Sequence, residues 1–309
     1  MYSFLLLPVT FMQRPNFKDY LILVRLPNLF TLPSNILVGF VIASSLTLTS
    51  YVQVLLLVTI SILLYCVGLI LNDLFDYNID KKERPDRPLA SGKVSRRAAI
   101  GLVTAFSVLA LGLSLIVSIP TLVTSSFLFA LIFGYDKFLK KTLAGPFTIA
   151  AARVINVMLG ASVDFSHIGS FPQLIILTFV LTITFVYVCL IGFISRYEVH
   201  GFPKNIKLFL IPVIIAAIIS LIAFFSLIGF FKYESLIILA LFSFIMAITF
   251  YKIRKQDSPG IQRIVQNMIL SIIVLDSTFL SGIRGIEIGL VVLVLLAPLL
   301  ILARKMYMT

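Results

Sequence analysis

Apolar residues run in long uncharged stretches along almost the whole chain, broken by short polar interruptions. Ten stretches stand out, at about residues 28–48, 52–75, 98–118, 120–136, 145–163, 171–194, 206–230, 234–251, 262–282 and 285–303. Val52–Leu71 alone is long enough, as a helix, to cross a hydrocarbon core of about 30 Å. Pro120, Gly145–Pro146, Pro172 and Pro203 fall at the ends of stretches, where residues that interrupt helices belong. The stretches far exceed the roughly ten-residue alternating strands of a membrane barrel. The pattern predicts an all-α, polytopic transmembrane helical bundle that takes in the whole chain, 1–309, as a single domain. The opening run Phe4–Met12 is too short to span and has no basic residue before it. It reads as an interfacial or lipid-contacting start rather than a signal peptide.

Composition narrows the class further. Of the 309 residues, 60% are hydrophobic and 12% are charged, against about 25% charged in a soluble domain. A soluble globular enzyme and a disordered chain are both excluded. The net charge of +12 invites a nucleic-acid partner, but the segment layout accounts for it. If the ten segments alternate in direction, the termini and every second connection share one face. That face carries 22 of the 25 basic residues, with Lys232 and Arg284 opposite and Arg153 inside a segment. Such a bias puts the basic face, both termini and the longest connection in the cytoplasm, and no basic surface is left over for nucleic acid. Trp is absent, so Tyr residues near segment ends must serve any aromatic belt. Cys66 and Cys189 both lie in apolar runs and read as packing residues, with no disulfide or metal site.

The chemistry concentrates on that basic face. Five of the thirteen carboxylates lie between Asp73 and Asp86. Asp73, Asp76 and Asp80 are spaced i, i+3, i+7, so a continuing helix would present all three on one face beside Asn72. Clustered carboxylates repel one another unless a cation sits among them. Oxygen-only ligands favour Mg²⁺, which is usually shared with substrate phosphates. Arg84, Arg87 and Lys93 follow directly and are of the types that grip phosphate oxygens. The combination predicts a Mg²⁺–diphosphate site at the membrane surface.

Asn72-Asp73-x-x-Asp76-x-x-x-Asp80, followed by Arg87-Pro88-Leu89-x-Ser91-Gly92, resembles the first aspartate-rich motif of the UbiA superfamily of intramembrane prenyltransferases. Arg25-Leu-Pro-Asn28 resembles the family's Arg-Pro-x-Asn pattern, and Tyr135 with Lys137, Lys140 and Lys141 resembles its basic fourth loop. The resemblance covers a core of about 21–282 and implies nine helices around a lipid-accessible central cavity, with 285–303 as an extra C-terminal helix. It implies Mg²⁺-dependent transfer of a prenyl group from a polyprenyl diphosphate to a lipophilic acceptor. Asp73, Asp76 and Asp80 would ligate metal. Arg25, Arg87 and Lys140 would stabilise the departing diphosphate, and Asn28 and Asn72 would orient it. The many Phe residues could shelter a prenyl chain or simply face lipid.

The sixth segment departs from the family. Where a second aspartate-rich motif is expected, the chain reads Gly192-Phe-Ile-Ser-Arg-Tyr-Glu-Val-His-Gly201. One carboxylate, Glu198, stands for the usual pair, flanked by Arg196 and His200. Glu198 would be a fourth metal ligand, with Arg196 and His200 at the substrate; alternatively Arg196 and Glu198 form an interfacial ion pair. Ser195-Arg-x-Glu-Val-His-Gly201, Arg153-x-x-Asn156-x-x-x-Gly160 and Val274-Leu-Asp276 are similar to the EboC subgroup of UbiA-like proteins. Charged groups inside a membrane segment are costly and face a cavity or each other. Arg153 and Asp276 therefore either pair together, or Arg153, with Asn156 a turn on, faces the diphosphate or an acceptor acid. The reduced second motif leaves a second function open: a UbiA-like protein that binds or translocates a prenylated precursor without turnover.

Overall fold

The computed structural model describes residues 16–44, 48–165, 169–198, 201–202, 210–251 and 258–303. The run Phe4–Met12, His200, Pro203 and residues 304–309 lie outside the described residues. Thirteen α-helices are seen: α1 Phe17–Leu23, α2 Leu32–Ala43, α3 Leu48–Phe75, α4 Tyr77–Glu83, α5 Arg96–Val117, α6 Ile119–Gly134, α7 Gly145–Ala161, α8 Phe171–Ser195, α9 Leu210–Leu227, α10 Ser235–Tyr251, α11 Ser258–Arg284, α12 Ile286–Leu293 and α13 Leu296–Ala303. A 3₁₀ turn, Leu26–Thr31, precedes α2, and a π-helical turn, Tyr135–Leu139, follows α6. There are no strands among the described residues. A bilayer interior has no water to satisfy backbone polar groups, so long apolar segments become helices.

Among the described residues, seven helical stretches are long and apolar enough to cross a membrane. Three shorter apolar ones, Gly145–Ala161, Ser235–Tyr251 and Ile286–Ile301, complete the ten segments expected. The last is divided, since the chain turns at Val294 between α12 and α13. Boundaries follow local chemistry. Ser95 accepts a hydrogen bond from the Ala98 N–H at 3.1 Å to cap α5, and Ser118 does the same for Thr121 at the start of α6. Pro120, Pro146 and Pro172 sit in first turns, where the missing N–H costs nothing.

Helix α11 is the centre of the bundle, with 78% of its spanning window buried, whereas α5 buries only 11% and faces outward. The main core gathers Val38 and Val41 of α2, Val180 and Tyr187 of α8, Phe242 of α10 and Val265, Ile273 and Phe279 of α11. A second core joins α2 to α3, α5 and α6 through Phe40, Leu57, Leu64, Ala110 and Leu128. The two lone basic residues of the opposite face are structural. The Arg284 guanidinium donates to the carbonyls of Val41 and Ser44 at the end of α2, at 3.2 and 2.8 Å, and Lys232 donates to the Arg284 carbonyl at 3.1 Å.

The crossing of α2 and α7 sets the spacing of the bundle. A Cβ on Gly39 would lie 1.9 Å from the Val157 carbonyl oxygen, and one on Gly160 would lie 2.2 Å from that of Ile36. Each glycine therefore seats against the other helix's backbone, as small residues do in membrane packing. Gly160→Ala is expected to cost at least the roughly 1–3 kcal/mol of an overpacked core. It should lower the thermal unfolding midpoint in detergent by several degrees. Gly101→Ala on α5, where a Cβ meets nothing within 4 Å, should leave the midpoint unchanged or raise it.

Candidate functional site

A cavity of about 700 Å³ lies among α2, α3, α6, α7, α8 and α11. Its polar residues crowd the end where α3 gives way to α4. The expected continuous helix does not form there. The chain turns at Asp76, with φ −86° and ψ 2°, and Asp76 opens α4 instead of continuing α3. The i−4 bonding nevertheless carries through that turn, from Asp76 N–H to the Asn72 carbonyl at 3.0 Å and from Asp80 N–H to the Asp76 carbonyl at 2.8 Å, and Asp76 and Asp80 line one cavity. Basic side chains pair with all three. The Arg87 Nη1 donates to Asp73 Oδ1 at 3.0 Å and to Asp80 Oδ2 at 2.8 Å, bridging the break. Asp76 is instead paired with the Lys140 ammonium, which also reaches Asn72 Oδ1.

Arg87 is placed by the loop after α4. Leu89 and Val94 are buried against Leu23, Ile70 and Ala99, pulling the loop onto the helix ends. The loop closes through Val94 N–H to Pro88 carbonyl at 3.0 Å, and Gly92 takes φ +78°, a conformation glycine adopts without strain. The Arg-Pro-Leu-x-Ser-Gly pattern is therefore a clamp: Leu89 anchors, Gly92 turns, and Arg87 is set over the acids.

Arg25 is the one non-glycine residue with positive φ among the described residues, at 44°. Such strain clusters at functional positions. Here it separates α1 from the 3₁₀ turn and brings Arg25 Nη2 to 3.8 Å from Asp73 Oδ1. The π-helical turn after α6 is another irregularity that favours functional sites. It carries Tyr135 and Asp136 into the cavity wall and directs Lys140 back to α3. Lys137 points elsewhere and lies over the Phe133 and Phe138 rings.

Glu198, beyond α8, also lines the cavity, and burial pushes its carboxyl up to about 7 against the opposing pull of Arg84 and Arg25. Arg196 does not serve the cavity. It is exposed and donates to the Thr142 carbonyl, tying the end of α8 to the loop before α7. Arg153 and Asp276 form no salt bridge. The Arg153 Nη2 donates to Thr31 Oγ1 at 2.8 Å, and Asp276 Oδ2 accepts from Ser34 and Asn35 at 2.6 and 2.7 Å.

Of the residues expected at a site, the cavity is lined by Arg25, Asn28, Asn72, Asp76, Asp80, Arg87, Tyr135, Lys140, Arg153, Asn156 and Glu198. Asp73 sits just behind them, 4% exposed and bonded to Arg87. Sequence reasoning passed over Tyr65, Ser61 and Asp136, which share the cavity wall. Asp136 had a signal, a rare carboxylate at the end of an apolar stretch beside Tyr135; Tyr65 had none. Among the described residues, no Phe lines the cavity. The Phe residues pack with one another, as in the Phe179–Phe225–Phe231 cluster, or face outward like Phe127 and Phe244. The apolar lining is aliphatic instead, including Leu69, Ile132, Ile191 and Ile272.

No three acidic, histidine or cysteine side chains converge as a preformed metal cage among the described residues. The donor chemistry nevertheless suits Mg²⁺. Asn72, Asp76, Asp80 and Glu198 offer hard oxygen ligands to one cavity. Arg87 and Lys140 now neutralise those carboxylates, and cationic side chains in that position can be exchanged for a metal with its anionic substrate.

Comparison with known proteins matches the UbiA prenyltransferase family over residues 32–273. A digeranylgeranylglyceryl phosphate synthase of Sulfolobus acidocaldarius is 33% identical over 177 residues, covering 55% of this chain and 62% of that protein. The chain thus spans about three fifths of the length of the curated relative it matches. Two solved structures share the fold. A UbiA homologue from Aeropyrum pernix K1 gives a TM-score of 0.61 at 16% identity, covering 90% of this chain and 98% of that one. A UbiA homologue from Archaeoglobus fulgidus, bound to DMAPP and Mg²⁺, gives 0.50 at 16% identity, covering 92% and 98%. With a family match over most of its length and the helical bundle to go with it, this chain belongs to the UbiA prenyltransferase family.

Proposed function

We propose that the protein is a Mg²⁺-dependent intramembrane prenyltransferase that moves a prenyl group from a polyprenyl diphosphate to a lipophilic acceptor. The observation that carries this reading is the pairing of acids and bases at the cavity mouth, where Arg87 joins Asp73 to Asp80 and Lys140 joins Asp76 to Asn72. Family membership and the Mg²⁺ and DMAPP bound by the Archaeoglobus fulgidus homologue support it. The basic bias along the sequence supports a cytoplasmic mouth.

In this reading Asp76, Asp80, Asn72 and Glu198 would hold the metal, and Asp73 anchors the cluster from behind. Mg²⁺ bound there would neutralise the diphosphate oxygens and make diphosphate a better leaving group. Arg87 and Lys140 exchange their carboxylates for phosphoryl oxygens, and Arg25 and Arg84 add positive charge at the same mouth. The aliphatic wall takes the prenyl chain and keeps water from the allylic cation. The rings of Tyr65 and Tyr135 are the aromatic faces available to that cation. Diphosphate departs with the electrons of the broken C–O bond. The acceptor supplies the new bond and loses its proton to a wall carboxylate or to solvent.

Purified protein in detergent, given Mg²⁺ and labelled geranylgeranyl diphosphate with a panel of acceptors, is expected to release diphosphate and form product. Asp76→Asn should reduce release at least about 100-fold, the scale of losing one preorganised charge-stabilising group. Release unchanged in that variant would remove Asp76 from the reaction. Tight Mg²⁺-dependent binding with no product from any acceptor would instead support the precursor-binding alternative. A pH series tests Glu198. Its carboxyl is raised to about 7, so protons compete with metal below that value and the ionised carboxylate can ligate above it. The Mg²⁺ concentration for half-maximal activity should rise as pH falls from about 8 to about 6, and this dependence should flatten in Glu198→Gln.

A further inference from the structure

Asp136 is a carboxylate of the cavity wall that the pairings at the mouth leave out. It lines the cavity and is 9% exposed. Among the described residues its carboxylate forms no salt bridge and accepts no hydrogen bond. Asp73, Asp76 and Asp80, by contrast, are each matched to Arg87 or Lys140. A buried carboxylate without a partner is costly at the end of a membrane segment, and such a group marks a functional site.

The π-helical turn sets Asp136 beside the first acidic motif. The turn packs against α3, and Lys140, at its end, donates to Asn72 Oδ1 and Asp76 Oδ2. The charges that act on Asp136 are those of Lys140 and Arg25, which attract it, and those of Asp76 and Asp73, which repel it. Both cations are already engaged, Lys140 with Asp76 and Arg25 at 3.8 Å from Asp73. One ammonium thus serves two carboxylates, Asp76 and Asp136. A neutral donor would satisfy the hydrogen bonding of the second but not its charge, and like charges in low dielectric call for a cation. A divalent ion brings the further positive charge. Asn72, Asp76 and Asp136 offer it hard oxygen from α3, from the turn at Asp76 and from the π turn. Mg²⁺ needs no cage of three acids, since it takes one or two carboxylates and completes its shell with water and phosphate oxygens.

We propose that Asp136 is a ligand of the divalent cation and stands in for the acid that the sixth segment lacks. The end of α8 offers Glu198 alone where the resemblance to the family implies a pair, and Asp136 brings a carboxylate to the same cavity from the end of α6. Metal binding then frees the Lys140 ammonium from Asp76 and leaves it for phosphoryl oxygens. The use made of the metal rests on the prenyltransferase reading, whereas its binding to Asp136 is measured without turnover.

Mn²⁺ is the probe, because its binding is read directly from loss of the free-ion EPR signal. The full chain in detergent is titrated with Mn²⁺ alone and with Mn²⁺ plus the unreactive geranylgeranyl thiolodiphosphate, corrected for metal that the analogue holds in buffer. The protein has no Trp, so unfolding is followed by exposure of the buried Cys66 and Cys189 to a thiol-reactive dye. Asp136→Asn should raise the half-saturating Mn²⁺ concentration at least about tenfold, the lower end of what altering a metal shell costs. Asp86→Asn, which removes an exposed acid from the loop after α4, should change it less than twofold. Without metal, the unfolding midpoint of Asp136→Asn should equal or exceed that of the wild type, since an unpaired buried charge is gone; with metal, the rise seen in the wild type should shrink. Mn²⁺ affinity unchanged in Asp136→Asn, an equal loss in Asp86→Asn, a metal-free midpoint lowered by Asp136→Asn, or a wild type that takes up no Mn²⁺ in either titration would overturn the proposal. Mn²⁺ held through Asp136 by a protein that releases no diphosphate from geranylgeranyl diphosphate would keep the ligand and overturn the prenyltransferase reading. Mg²⁺-dependent release with Mn²⁺ affinity untouched in Asp136→Asn would keep that reading and remove Asp136 from the metal.

Discussion

One nitrogen atom, Nη1 of Arg87, holds Asp73 and Asp80 together across the break between α3 and α4. Much of the cavity mouth depends on that bridge. Carboxylates gathered at a helix end in low dielectric repel one another, and removing one partner of a buried ion pair leaves an uncompensated charge that costs about 3–5 kcal/mol. The loop carrying Arg87 is accordingly fastened by its own core of Leu89 and Val94. Lys140 gives the same service to Asp76 from the other side of the cavity. The mouth is thus charge-balanced in itself, and the side chains that balance it are of the kinds that bind phosphate. A site built this way can trade internal partners for a metal and an anion at little net electrostatic cost.

Irregular backbone marks the same region. The helix break at Asp76, the left-handed Arg25 and the π turn at Tyr135 all border the mouth, whereas the spanning helices beside it are regular. The bundle affords these departures because its frame is rigid elsewhere. The glycine contacts of α2 and α7 allow no slack, and Arg284 locks the far end of α2 to α11. The result is a fixed frame with a shaped opening at one end and a cavity below it lined by aliphatic and polar side chains.

The ten apolar helical segments were legible in the sequence because length and hydropathy are properties of one stretch at a time. The acidic motif and its Arg-Pro-Leu-x-Ser-Gly sequel were legible for a similar reason, since they are local and five acids in so short a span are conspicuous in a chain with thirteen. Family and fold followed from them. What the sequence could not determine is pairing at a distance. Lys140 meets Asp76 across 64 positions, Arg153 meets Thr31 across 122, and Asp276 meets Ser34 across 242. The i, i+3, i+7 spacing showed that the acids gather, but not that Arg87 would bridge Asp73 and Asp80 while Lys140 takes Asp76. The abundant Phe could equally have sheltered a prenyl chain or faced lipid and neighbouring helices; packing decided for the second, and among the described residues the cavity is lined by aliphatic side chains and two Tyr. Hydropathy decides that a segment is buried in the membrane; only packing decides which of its faces meets the cavity.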